Sequence, residues 1–165
     1  MRNGPVAFRR AHSGIVRLSP AVMCVLLAHR QLGEDEAEAG GLLLGRFFED
    51  RPDVLIDEAS VPTKTDRRSR FAISRRKEEA QKLVDAAWTA SGGTRNFLGE
   101  WHSHPEPSPS PSCRDRLNWG RISRRAVYEQ DGLVFVIVGT EEVKAWEVRR
   151  DGTRVALGSV SVRCS

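Results

Sequence analysis

The chain has 165 residues, of which 39% are hydrophobic and 29% are charged, values that are ordinary for a globular protein. This length suits a single core, so we predict one domain over residues 1–165, with residues 1–14 flexible. No apolar run approaches the roughly 20 residues that a membrane span requires. Because the N-terminus also lacks the apolar segment of a signal peptide, we expect no membrane association and a cytoplasmic location.

The formal net charge of +4 is distributed over several short arginine runs. Without interleaved aromatic residues, such runs are more typical of a solvated surface than of a nucleic-acid interface, so we expect no nucleic-acid partner. The three cysteines, Cys24, Cys113 and Cys164, are widely spaced and form no CxxC pair. They therefore predict neither a disulfide framework nor a thiolate zinc site.

The first predicted elements are a short strand and a helix. The strand covers residues 14–18 and is followed by Ser19 and Pro20. Serine at the N-cap and proline at the first helical position are a typical helix start. We expect this helix to end near Gly33.

A hairpin, a loop and a second helix are predicted next. Residues 41–48 and 54–59 are apolar segments separated by a turn, which is typical of a β-hairpin. Residues 61–69 are polar and lack a period, so they predict an exposed loop. Residues 74–90 show helical periodicity. The residues expected on the buried face of this helix are Ala80, Leu83, Val84, Ala87 and Trp88.

The remainder of the chain predicts one further helix among strands. A strand over residues 96–102 leads into a proline-serine loop at 105–111, and Ser112 then caps a helix. Three strands follow, at residues 133–138, 143–148 and 155–162. This order favours an α/β or α+β fold in which helices sandwich a mixed β-sheet.

The residues that carry chemistry lie around the end of the predicted strand 96–102. His102 and His104 stand at positions i and i+2, so on an extended strand both imidazoles face the same side. Asp115, in the first turn of the next helix, can complete a set of two imidazoles and one carboxylate. That set suits zinc and leaves a coordination position open for water, as in a hydrolase. Ser112 lies close enough in sequence for its hydroxyl to donate to an oxyanion.

Two motifs in the chain resemble those of the JAMM/MPN (JAB) zinc metalloproteases. The first is His102-Ser103-His104, followed after seven residues by Ser112 and after two more by Asp115. The second is a glutamate just ahead of a glycine-rich strand, which here begins with Glu38-Ala39-Gly40-Gly41. The resemblance implies a cytidine-deaminase-like JAB/MPN fold with one zinc ion per chain. It implies these roles: zinc ligands His102, His104 and Asp115, general base Glu38, and oxyanion stabiliser Ser112.

The segments at 97–102 and 115–119 resemble more particularly the small stand-alone bacterial JAB proteins of the integrative and conjugative element type. Relatives of these act in CBASS antiphage operons, beside a fused E1–E2-like protein that conjugates the C-terminus of a cyclic-nucleotide synthase to target amines. The resemblance therefore implies an isopeptidase that reverses this conjugation. Its expected partners are that conjugating protein and a protein substrate with a conjugated C-terminus, either such a synthase or a ubiquitin-like protein.

Three alternatives remain open at this point. The same chemistry could trim a ubiquitin-like or sulfur-carrier precursor to expose its C-terminal tail. A metal-free MPN scaffold that only binds partners is disfavoured, because such scaffolds usually lose ligands and this chain retains all of them. A DNA-repair type of JAB protein is disfavoured because no helical DNA-binding module precedes the domain. Separately, Ser112 could act only as a helix cap, and Asp115 only as an acid favoured by the helix dipole.

Overall fold

A computed structural model of the protein describes residues 5–69, 72–74 and 76–162, with no side-chain detail for 72–74. The strands of this part are β1 (Val6–Arg9), β2 (Ile15–Leu18), β3 (Gly40–Phe47), β4 (Val54–Ala59), β5 (Arg67–Ser69), β6 (Ala72–Ser74), β7 (Asn96–Ser103), β8 (Gly132–Val138), β9 (Glu142–Arg149) and β10 (Arg154–Ser161). The helices are α1 (Pro20–Ala28), α2 (Lys77–Ala90) and α3 (Cys113–Arg125). Within these residues, we find no helix long and apolar enough to cross a membrane.

Eight strands form one mixed sheet in the order β1-β2-β4-β3-β7-β8-β9-β10. The pairs β2–β4 and β7–β8 are parallel and the other neighbours are antiparallel. The predicted hairpin of β3 and β4 is confirmed, as are the three C-terminal strands.

Helices cover both faces of this sheet. Along β8 the side chains alternate, so that Val134 and Val136 pack in the core beneath α1, while Phe135 packs with Trp119 of α3. Helix α2 contributes Ala87 to the same face as α3, where Phe97 joins the two clusters. The predicted fold class, a mixed sheet sandwiched by helices, is confirmed.

The sheet curls strongly enough for its two edge strands, β1 and β10, to contact each other. A buried ion pair stands beside this closure: Arg10 donates to both carboxylate oxygens of Glu147, at 3.1 and 2.6 Å. Residues 1–14 were expected to be flexible, but Val6–Arg9 form β1 and pair with β2 along its whole length. Backbone pairing and the Arg10 contact hold these four residues against the neighbouring strands.

Three further expectations about elements are corrected. The predicted loop at 61–69 ends in strand β5, whose partner β6 occupies 72–74, so α2 begins at Lys77 rather than at Ser74. Helix α1 ends at Ala28 rather than near Gly33, because the His29 N–H turns back to the carbonyl of Leu26. Trp88 lies beside the buried stripe of α2 rather than in it, and it is 50% exposed.

Candidate metal centre

The predicted site residues meet where β7 ends and β3 begins. These strands are antiparallel neighbours with Gly40 opposite His102, so Glu38, just ahead of β3, lies beside the histidines at the end of β7. The backbone N–H of His104 donates to the carbonyl of Val138, which continues the pairing of β7 with β8. Helix α3 begins after the proline-serine loop and brings Asp115 to the same place.

The ligand atoms of these residues lie within a few ångströms of one another. His102 Nε2 and His104 Nε2 are 3.1 Å apart. Each lies 3.3 Å from one oxygen of the Asp115 carboxylate, His102 from Oδ1 and His104 from Oδ2. Glu38 Oε1 lies 3.9 Å from His102 Nε2 on the other side. Both imidazole nitrogens therefore lie close to the Asp115 carboxylate, and that of His102 also lies near Glu38.

A capping box fixes the direction of Asp115. Its carboxylate accepts a hydrogen bond from the backbone N–H of Ser112 at 2.7 Å, and its own N–H donates to Ser112 Oγ at 3.1 Å. The predicted helix start at Ser112 is confirmed. Because Ser112 Oγ is the acceptor in this pair, its hydroxyl hydrogen remains able to donate to another group.

Glu38 is buried yet incompletely bonded. Its backbone N–H donates to the Ser69 carbonyl and its carbonyl accepts from Arg68 Nε, so strand β5 holds the residue from one side. The side-chain Oε2 has no hydrogen-bond partner among the described residues. Burial raises the pKa of Glu38 to about 7, although the His104 charge opposes the shift. This carboxylate is thus the one that gains and loses a proton most readily near neutrality.

Their surroundings shift the pKa values of the two carboxylates, Asp115 and Glu38, in opposite directions. Burial alone would raise the pKa of Asp115, but the adjacent imidazoles of His102 and His104 and the Ser112 N–H outweigh it and hold that pKa far below its usual value. Asp115 therefore stays ionised, as a metal ligand must. The contrast with Glu38 matches the general pattern in which neighbouring acids take different roles.

The two histidines differ as well. Burial lowers the pKa of His102, which keeps its imidazole neutral. Burial also disfavours the charged form of His104, but the nearby carboxylates, chiefly Asp115, raise its pKa overall. His104 Nδ1 lies 3.1 Å from Glu106 Oε1, an arrangement in which Nδ1–H donates to the carboxylate and the Nε2 lone pair faces the cluster.

Two features of this site escaped the sequence prediction. Glu106 contacts His104 from two residues away, and its only signal in the sequence was an acid close behind a predicted ligand histidine. The second is a buried hydrogen-bond chain in which Ala39 N–H donates to Ser103 Oγ and Ser103 donates to Gln31 Oε1. Nothing in the spacing of Gln31 pointed to the site.

Gly41 permits a close backbone approach beside the cluster. A Cβ at this position would lie 1.9 Å from the carbonyl oxygen of Ser60 and 2.5 Å from Trp101 Nε1. The same carbonyl accepts a hydrogen bond from the Trp101 indole at 2.9 Å. Trp101 is buried beside Gly41, and the ring centroid of Trp119 lies 6.3 Å from that of His102.

The cluster has the donor set of a divalent metal site. Glu38, His102 and His104 offer ligand atoms within 4.8 Å of one another, and Asp115 adds a second carboxylate. Imidazole nitrogens with carboxylate oxygens suit a metal of borderline softness. The unpartnered Oε2 of Glu38 is a further buried polar atom that calls for a partner. The residues present therefore fit a bound metal ion.

The fold and this cluster define an α/β protein with a candidate metal site between β3, β7 and α3. Residues 20–149 match the model of the family described as prokaryotic homologs of the JAB domain. The chain therefore belongs to this family of JAB-domain proteins.

Similar proteins carry related names. A protein of Pseudomonas aeruginosa named "CD-NTase/cGAS isopeptidase" is 39% identical over 125 residues, which cover 76% of this chain and 77% of that protein. One of the same name from Vibrio cholerae is 32% identical over 142 residues, covering 86% and 87%. The solution structure of a protein from Desulfitobacterium hafniense is similar with a TM-score of 0.56 and 25% identity, over 87% of each chain.

Proposed function

We propose that the protein is a zinc-dependent isopeptidase that releases a protein from an amide bond between its C-terminus and an amine. The observation that carries the proposal is Glu38, a buried carboxylate with one unpartnered oxygen beside two imidazoles and Asp115. Membership of the JAB family supports it, as do the names of the relatives from Pseudomonas aeruginosa and Vibrio cholerae.

In this proposal His102, His104 and Asp115 hold one zinc ion per chain. A zinc ion at that place would act as a Lewis acid and allow water to attack at neutral pH. The chain itself keeps the ligands in the required forms. His102 is kept neutral by burial, the Nδ1–H of His104 is taken up by Glu106, and Asp115 is held ionised by its neighbours.

Glu38 is the general base and then the general acid. Its carboxylate accepts a proton from the water whose oxygen attacks the scissile carbonyl carbon. As the C–N bond breaks, Glu38 returns that proton to the leaving nitrogen, so the products are a free C-terminal carboxylate and a free amine. A pKa near 7 suits both steps, because the group must be a base in one and an acid in the next.

Ser112 stabilises the oxyanion that develops on the attacked carbonyl. Its oxygen is already occupied by the Asp115 N–H, which fixes the position of the hydroxyl at the start of α3. The hydroxyl hydrogen is then the group that donates to the oxyanion. The capping and catalytic roles of Ser112 are therefore compatible.

The proposed substrate is a conjugate formed through the C-terminus of a CD-NTase, the enzyme class in the names of the relatives. An E1–E2-like protein would make the conjugate and this protein would remove it, as part of CBASS antiviral defence in the cytoplasm. We propose that residues 1–165 act as one domain in this reaction. The free and exposed thiols of Cys24 and Cys113 suit a reducing compartment.

The test is a cleavage assay on two substrates that share one C-terminal sequence. One is a conjugate joined to a lysine amine, and the other is a linear fusion that extends beyond the same C-terminus. Faster cleavage of the lysine-linked conjugate is expected. Faster cleavage of the linear fusion would instead favour precursor processing, and cleavage of neither by metal-loaded protein would contradict the proposal.

A further inference from the structure

The exposed face of α3 is strongly basic. The helix from Cys113 to Arg125 contains five arginines. Its only acid, Asp115, is turned toward the histidines of the candidate metal site. Successive residues of an α-helix are rotated by about 100° around its axis. Most of the exposed side chains of α3 therefore fall within one arc, roughly 100° wide, on the side away from the core. We call this arc the α3 basic face, and its residues are Arg114, Leu117, Arg121, Arg124 and Arg125.

The arginines of the α3 basic face lack ion-pair partners among the residues that the structure describes. Elsewhere in the protein arginines do find carboxylates: Arg10 pairs with Glu147, and Arg95 with Asp57. The acids of these pairs lie on other elements, and no ion pair among the described residues includes an arginine of α3. Four positive charges on one helix face are left for solvent or for a partner.

Helix stability does not explain this arrangement. Arg114 lies in the first turn, where a positive charge opposes the helix dipole. Arg121 and Arg125 stand at i and i+4, where like charges repel. Only Arg124 and Arg125, in the last turn, are favoured by the dipole. Leu117 adds an apolar side chain that is 70% exposed in the middle of the charged face.

The α3 basic face begins at the candidate metal site. Arg114 directly precedes Asp115, whose carboxylate lies 3.3 Å from His102 Nε2, and that nitrogen lies 3.9 Å from Glu38 Oε1. A protein whose scissile bond reaches Glu38 must therefore lie close to the first turn of α3, and the rest of the face extends away from that point along the helix. A folded substrate domain attached to the cleaved C-terminus would be near enough to contact it.

We propose that the α3 basic face docks an acidic segment of the protein substrate, with Leu117 contacting an apolar residue within that segment. This inference rests on the proposed isopeptidase function and names the chemistry of its substrate. Arginines around an apolar residue are typical of protein–protein interfaces. A nucleic acid fits less well, because the one aromatic residue of α3, Trp119, is buried and so no ring of this helix is available for base stacking.

The test compares two double variants with the same change in charge. The first, Arg121→Glu with Arg124→Glu, reverses the centre of the α3 basic face. The control, Arg9→Glu with Arg17→Glu, reverses two exposed arginines on β1 and β2, whereas α3 packs on β8 and β9. Thermal unfolding of both variants is measured first, so that each assay uses folded protein.

Each protein is assayed on a folded CD-NTase conjugate and on a short isopeptide that contains only the C-terminal tail linked to lysine. The α3 variant should raise KM for the conjugate about tenfold, with kcat retained, and the conjugate-to-isopeptide ratio of kcat/KM should fall by the same factor. Added salt should reduce the difference from wild type. The control variant should keep the wild-type ratio. An unchanged ratio in the α3 variant, or the same loss in both variants, would overturn the proposal.

A binding measurement distinguishes failure of this inference from failure of the proposed function. Anisotropy with the Glu38→Gln protein and labelled conjugate reports docking without cleavage, so it remains informative even if wild type cleaves neither substrate. Weaker binding after the α3 reversal supports docking. Tight binding of a labelled 20-nucleotide single-stranded DNA that depends on Arg121 and Arg124, without any effect on conjugate binding, would contradict it and assign the face to nucleic acid.

Discussion

The hydroxyl of Ser103 accepts a hydrogen bond from the backbone N–H of Ala39 at 2.8 Å, and the Ser103 N–H donates to the Ala39 carbonyl at the same distance. Ser103 stands between the two histidines, and Ala39 directly follows Glu38. This double contact therefore fixes the proposed base relative to the proposed ligands. The series of hydrogen bonds continues to Gln31, which accepts from Ser103 Oγ at 2.9 Å and donates to the Glu36 carbonyl.

Replacing Ser103 by alanine should lower both stability and activity. The substitution leaves the Ala39 N–H and the Gln31 carbonyl oxygen without this partner in a fully buried place, at a cost of about 1–3 kcal/mol in the free energy of unfolding. Ser103→Thr keeps the hydroxyl and should retain most of both properties. Urea unfolding and kcat measured on the three proteins check this, and equal losses in the two variants would show that the hydroxyl is not what matters.

Glu38→Gln should abolish cleavage while zinc remains bound. Glutamine is nearly isosteric but cannot accept the proton of water, so kcat should fall roughly 100-fold or more. Metal content should match that of wild type, because Glu38 is proposed as a base and not as a ligand. The control is Asp35→Asn, a change at an exposed acid nearby. Loss of zinc in Glu38→Gln would show instead that Glu38 is itself a ligand.

Glu106→Gln should weaken metal binding without abolishing it. The glutamine still accepts from His104 Nδ1–H through its oxygen but lacks the charge that makes the imidazole a stronger ligand. We expect zinc affinity to fall roughly 10- to 100-fold, measured by competition with a chelating dye. Glu129→Gln, at an exposed acid after α3, serves as the control. An affinity equal to wild type would mean that Glu106 does not support His104.

Arg10 and Glu147 should be strongly coupled in the free energy of unfolding, so that losing one partner destabilises the protein more than losing both. Their side chains are 10% and 5% exposed, so removing one partner leaves a buried charge, at a cost of about 3–5 kcal/mol. Arg10→Met combined with Glu147→Leu removes both charges and should destabilise less than either single change. A double-mutant cycle in urea measures this coupling, and additive losses would contradict it.

The sequence predicted those parts of the fold and site that depend on local pattern. Continuous apolar segments marked the central strands, and Ser112 marked the start of α3 as an N-cap serine. The two histidines could be assigned to one face because an extended strand has a period of two residues. Glu38 could not be assigned from a local pattern alone. The family resemblance was needed, because it selects the glutamate at this spacing from the glycines over the acids just before it.

The parts that the sequence did not predict depend on contacts between distant segments. Strand β1 is only four residues long, and it is held by β2, by the approach of β10 and by Arg10, whose partner Glu147 is far along the chain. Strand β5 is likewise defined by its neighbour β6 and by the backbone of Glu38. No local period records such contacts.

The most direct test of the account is zinc titration of the metal-free protein during cleavage of a lysine-linked CD-NTase conjugate. Chelator-treated protein should be inactive, and activity should rise in proportion to added zinc until one equivalent per chain is bound. Asp115→Asn, which can retain the capping contact with Ser112, should bind zinc weakly and gain little activity. Full cleavage by chelator-treated wild type that contains only traces of metal would contradict the account.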